Sequence, residues 1–171
     1  MRKAFFFDRD GVLNKPIVRF GKPYPPNNLK ELVVSDYAKE IILYLKNKNF
    51  LIIIVTNQPD FKRKKNTLEN IISINNYLKN LLKIDDIFVC YDNKDFSKHR
   101  KPKNGMLLDA KKKWNIDFKK SYIVGDRDKD IQAGIRSGVK TIFIDNNYDE
   151  KKPIYSNYTI KNLKEIKRII Y

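Results

Sequence analysis

The run Phe50-Leu51-Ile52-Ile53-Ile54-Val55 holds six consecutive apolar residues, four of them β-branched, with no polar position among them. A strand with no wet face must be covered on both sides, which is the situation of a central strand in a parallel sheet. Its neighbours in the chain alternate in type. Residues 3–8, carrying Ala4-Phe5-Phe6-Phe7, read as a first strand, and Ala38, Ile41, Ile42 and Leu45 follow the helical spacing behind Ser35 or Asp36 as N-cap. A second helix is expected to start near Thr67 and to turn Leu68, Ile71, Ile72, Leu78 and Leu82 inward. Further strands are expected over 86–90, 122–124 and 141–144, with helices over 105–114 and through Ile131, Gly134 and Ile135, and a closing helix within 160–170. Pro16, Pro23, Pro25 and Pro26 predict irregular chain as far as Asn28. Strand and helix in alternation predict a three-layer α/β architecture, a central parallel sheet with helices on both faces.

With 171 residues, no repeat and no linker, the chain is expected to form a single domain over 1–171. A lone cysteine, Cys90, excludes an intrachain disulfide framework. No stretch has the length of a membrane span or of an export signal, so a cytoplasmic protein with no membrane partner is expected, a monomer or weak homo-oligomer. The formal charge of +16, from 36 Lys and Arg against 20 Asp and Glu, makes an anionic partner welcome without naming one. The densest basic blocks are Lys62-Arg63-Lys64-Lys65 and Lys111-Lys112-Lys113.

In open parallel sheets ligands bind beyond the carboxyl ends of the strands. Three polar segments stand at such ends: Asp8-Arg9-Asp10-Gly11-Val12, Thr56-Asn57-Gln58 and Gly125-Asp126-Arg127-Asp128-Lys129-Asp130. A fourth, Arg100-Lys101-Pro102, precedes the third helix. Asp8 and Asp10 share a side of the chain, because positions i and i+2 do. One carboxylate can attack while the other moves protons, and a fixed cation such as Lys101 can offset charge that develops in transfer.

These four segments, in this order, resemble the haloacid dehalogenase superfamily of phosphohydrolases over nearly the whole chain. The resemblance implies a Rossmann-like fold, Asp8 as the nucleophile that becomes an aspartyl phosphate, and Asp10 as general acid and base. It implies Mg²⁺ held by Asp8, the Asp10 main-chain carbonyl and Asp126, with Asp130 orienting the site. Hard oxygen ligands suit that ion. Thr56 and Asn57 would meet phosphate oxygens, and Asn57, Gln58, Arg100, Lys101 and Arg127 would surround the substrate. Arginine forks suit a second phosphate; Arg127 has the alternative of pairing with Asp128 or Asp130.

Too few residues separate Asp10 from Thr56, and Gln58 from Lys101, for an inserted cap domain, so the chain resembles a member without one. The motifs look most like the branch of heptose bisphosphate and histidinol-phosphate phosphatases, which implies a small sugar phosphate as substrate. Many of that branch carry a zinc loop before Arg-Lys-Pro, made of Cys-x-His and Cys-x-Cys. Here Cys90, Asp92 and His99 are a three-ligand remnant at most, and zinc is not expected. Two other readings remain: a phosphatase of nucleic-acid 3′ ends, disfavoured by the lack of an aromatic-interleaved basic strip, and a binding protein that has lost turnover.

Overall fold

The structure, a computed structural model, describes residues 1–170. Eight strands and four α-helices follow in the order β1 (Lys3–Phe7), β2 (Ile17–Arg19), β3 (Lys22–Tyr24), α1 (Ala38–Asn47), β4 (Phe50–Asn57), α2 (Leu68–Leu82), β5 (Asp86–Cys90), α3 (Gly105–Trp114), β6 (Tyr122–Gly125), α4 (Asp128–Ser137), β7 (Lys140–Ile144) and β8 (Tyr158–Ile160). Six of the strands form one parallel sheet in the order β5-β4-β1-β6-β7-β8. The chain starts at the centre, winds outward through β4 to β5, then returns to β6 and winds out the other way. The reversal therefore lies beside β1, and its carboxyl end opens the crevice in which doubly wound sheets bind ligands.

Strand periodicity divides the core in two. Phe5, Phe7, Ile52 and Ile54 face α1 and α2, packing with Ile41, Leu45, Ile74 and Leu78. Ala4, Phe6, Ile53 and Val55 face the other way, onto Met106, Leu107 and Ala110 of α3 and Ala133 of α4. Each fully buried isoleucine or phenylalanine contributes about 1.5–3 kcal/mol, so both faces of β1 and β4 are firmly anchored. No helix among the described residues is long and apolar enough to cross a membrane.

The structure corrects several expectations. The proline-rich stretch is not irregular throughout: β2 and β3 form an antiparallel hairpin in which Val18 pairs with Pro23. An edge strand tolerates proline, and the turn Phe20-Gly21 has positive φ at both residues, as a hairpin turn of type I′ requires. Neither Ser35 nor Asp36 caps α1. Tyr37 does, with φ 65° and no side-chain cap bond, while Asp36 pairs with Lys15 at 3.1 Å. On α2 the buried stripe runs through Ile71, Ile74, Asn75, Leu78 and Leu82, leaving Leu68 and Ile72 exposed. The helix starts where expected, with Thr67 as its N-cap, the hydroxyl accepting from the Asn70 amide. Ile135 also lies outside the core. The end of the chain holds a sixth parallel strand, β8, before a 3-10 segment Leu163–Arg168 rather than an α-helix. Asn157, whose side-chain oxygen accepts from the Thr141 amide at 2.8 Å, ties the entry of β8 to β7.

Candidate active site

Beyond the carboxyl ends of β1, β4 and β6 the polar segments meet. Asp8 leaves β1 with its amide still donating to Val124 O of β6 at 2.9 Å. Lys101 is fully buried, and its ammonium is held by Asp8 Oδ1 at 2.8 Å, Asp130 Oδ1 at 2.7 Å and the Val55 carbonyl at 2.8 Å. Burial alone would lower the Lys101 pKa; the Asp130 and Asp8 carboxylates outweigh it and hold the ammonium above the ordinary lysine value. The loop carrying Lys101 is fastened to β4 by reciprocal bonds: Asn57 Nδ2 donates to Lys101 O and the Lys101 amide donates to Asn57 Oδ1, both 3.1 Å. Asn57 thus spends its side chain on placing the lysine.

Asp126 is buried just past β6, and neither of its oxygens accepts a well-formed hydrogen bond. Burial, reinforced by Asp130 and Asp8, pushes its carboxyl well above the usual carboxylate range. Asp8, Asp126 and Asp130 bring ligand oxygens within 4.8 Å of one another, the only group of three or more His, Cys, Asp or Glu side chains so gathered among the described residues. One lysine does not balance three carboxylates. An orphaned buried carboxylate in a cluster of hard oxygens fits a divalent cation such as Mg²⁺. Asp130 is differently employed, since its Oδ2 also accepts from the Arg127 amide at 3.1 Å. Gly11 shapes the same spot: at φ 89°, a Cβ on it would stand 1.8 Å from Asp126 Oδ2.

Asp10 borders the cavity, and four donors hold its carboxylate, two from Arg9 and one each from Asn14 and Gln58. Gln58 is buried, bonding Asp10 Oδ2 at 2.7 Å and Thr56 Oγ1 at 2.9 Å, and it is absent from the cavity wall. It joins Thr56 to Asp10. Arg127 pairs with Glu150 rather than with Asp128 or Asp130. Arg100 reaches the Asp92 carbonyl at 3.1 Å and Asp95 at 3.2 Å, which ties it to the preceding loop. Cys90, Asp92 and His99 form no ligand group: the thiol is buried at the end of β5 with Ser97 Oγ 3.9 Å away, and His99 Nε2 lies 2.8 Å from Asp109 instead.

Above this floor opens a cavity of about 540 Å³ bordered by eight basic and four acidic side chains. Asp8, Asp10 and Lys101 line its base. Arg19 and Lys22 of the hairpin, Arg63 and Lys65 of the loop after β4, Arg100, Arg127 and Lys129 supply the remaining positive charge. The sequence reading missed the hairpin cations and Lys129. The basic block at 62–65 was visible in the sequence, but only the chain path shows that it reaches the site. Arg9 and Asn75 were missed too, though an asparagine on the apolar stripe of a helix was a signal.

The family profile of the haloacid dehalogenase-like hydrolases matches residues 18–138. The chain belongs to the haloacid dehalogenase-like hydrolases. A relative named D-glycero-alpha-D-manno-heptose-1,7-bisphosphate 7-phosphatase, from Campylobacter jejuni, is 34% identical over 169 residues, covering 96% of this chain and 93% of its own. A part of the Histidine biosynthesis bifunctional protein HisB of Blochmanniella floridana is 33% identical, over 82% of this chain and 40% of that protein. Among solved structures, D,D-heptose 1.7-bisphosphate phosphatase from B. bronchiseptica, complexed with magnesium and phosphate, superposes with a TM-score of 0.84 at 21% identity, covering 98% of this chain and 97% of that one. This haloacid dehalogenase-like hydrolase is a phosphomonoesterase.

Proposed function

We propose that this single-domain phosphatase is Mg²⁺-dependent, acts in the cytoplasm, and removes the 7-phosphate of D-glycero-D-manno-heptose 1,7-bisphosphate through an aspartyl phosphate on Asp8. The observation that carries the reading is the buried Asp8–Lys101 pair at the floor of a cavity with twice as many basic as acidic side chains. Such a wall suits a substrate that keeps one phosphate while losing another. Histidinol phosphate, which brings an ammonium group of its own, is less well matched to that charge.

In this reading Asp8 attacks phosphorus, and the bond to the sugar oxygen breaks as Asp10 gives that oxygen a proton. Asp10 then takes a proton from the water that cleaves the acyl phosphate, which releases inorganic phosphate and frees Asp8. Lys101 holds Asp8 in position and offsets charge on the phosphoryl oxygens, which the Thr56 hydroxyl and the Asn57 amide also meet. Asp8, the Asp10 carbonyl and Asp126 would hold Mg²⁺, which when bound supplies positive charge against the repulsion of two anions. Arg100 and Arg127 grip the phosphate that stays. Phosphate release should be measured with heptose 1,7-bisphosphate, histidinol phosphate and an oligonucleotide 3′-phosphate. The bisphosphate is expected to give the highest kcat/KM by at least about tenfold; a preference for either other substrate overturns the assignment.

The metal assignment has its own test. At Mg²⁺ about 100-fold above its Kd the chain should gain about 2.7 kcal/mol, read as a rise in Tm. Asp126→Asn is expected to abolish both that rise and phosphate release. A Tm shift of unchanged size in the variant would mean that Mg²⁺ binds elsewhere.

A further inference from the structure

Arg9 is wholly buried, and its single ion-pair partner among the described residues is Asp10. The guanidinium meets the carboxylate as a fork, Nε to Oδ1 at 3.1 Å and NH2 to Oδ2 at 3.0 Å. Its third arm, NH1, donates to Asn75 Oδ1 at 2.8 Å. Asn75 sits on the buried stripe of α2 between Ile74 and Leu78, where an apolar residue would pack better. Two buried polar side chains from separate elements therefore meet, and the end of their chain of bonds is the carboxylate at the cavity edge. Asn14 Nδ2 on Oδ1 at 3.1 Å and Gln58 Nε2 on Oδ2 at 2.7 Å complete the set.

A carboxylate on a free one-methylene stem samples several rotamers, and proton transfer needs one of them. A two-pronged bond fixes the plane of the carboxylate as well as its position. Asn75 in turn fixes the arginine, since α2 is anchored by its own packing. We propose that Arg9, braced by Asn75, is the positioning residue that aims Asp10 at the leaving oxygen. The proposal rests on the reading of Asp10 as general acid. Arg9 is wholly buried and does not line the cavity, so it acts through Asp10.

Leaving-group dependence tests it. The kcat/KM value reports the steps up to release of the alcohol or phenol. A sugar or alkyl oxygen needs a proton to leave, whereas p-nitrophenolate does not. Arg9→Met is expected to lower kcat/KM by about 100-fold for alkyl phosphates and by under about tenfold for p-nitrophenyl phosphate. Arg9→Lys, which keeps charge without the fork, should recover only part of the difference. Asn75→Leu, a substitution that suits the apolar face of α2, should show the same preferential loss at smaller amplitude, and it carries the test if Arg9→Met fails to fold. Equal losses for both substrate classes, or no loss, in the folded variants overturn the proposal. Asp10→Asn separates the two readings: if it too lacks the preferential loss, the acid role of Asp10 has failed, whereas a preferential loss there alone leaves Asp10 in place and removes Arg9.

Discussion

Asp8→Asn is expected to abolish phosphate release while leaving the fold intact, with kcat down by about four orders of magnitude or more. The amide is isosteric with the carboxylate and can still accept from Lys101 Nζ, which in any case keeps Asp130 at 2.7 Å and the Val55 carbonyl at 2.8 Å. An amide oxygen is a poor nucleophile toward phosphorus, so loss of turnover follows from the chemistry rather than from unfolding. Phosphate release together with a thermal melt checks both halves. Residual turnover above about one per cent in a well-folded variant would remove Asp8 as the nucleophile.

Lys101→Met is expected to damage stability and activity together. The lysine is fully buried between two carboxylates. Deleting one partner of a buried ion pair leaves uncompensated charge and costs about 3–5 kcal/mol. Asp130 then faces Asp8 and Asp126 without the ammonium that bridged Asp8 and Asp130. Asp8 loses the contact that holds it in position, and the phosphoryl oxygens lose a positioned charge. Together these should reduce kcat by about a thousandfold. Denaturant unfolding should show a lower midpoint at unchanged slope, and phosphate release should fall in the same preparation. Full activity in a destabilised variant would make Lys101 a structural residue only.

The parts of the site that were legible beforehand are those carried by strand ends. Asp8, Thr56 and Asp126 follow apolar runs, and parallel strands in one sheet bring their carboxyl ends to the same rim. Lys101 was legible only through the order of the motifs, because it lies in a loop; its burial follows from the Asn57 clamp to β4. Gln58 was grouped with the substrate contacts, but its side chain lies beneath the cavity wall on Thr56 and Asp10. The hairpin was obscured by Pro23, since an edge position, where a missing amide proton does no harm, is a property of the sheet and not of the residue.

From the residues alone came the architecture, through two periodicities: an unbroken apolar run demands cover on both faces, and helical spacing supplies that cover. The proposed chemistry came from the resemblance of four short motifs, by residue type and order, to a known family. Only the tertiary structure decided which charges share a cavity. Arg19, Lys22, Arg63, Lys65 and Lys129 come from three separate segments, and Arg9 finds Asn75 at a distance of 66 residues. Backbone pattern is written in local spacing, whereas electrostatic fields and hydrogen bonds depend on distance in space, which the path of the chain sets.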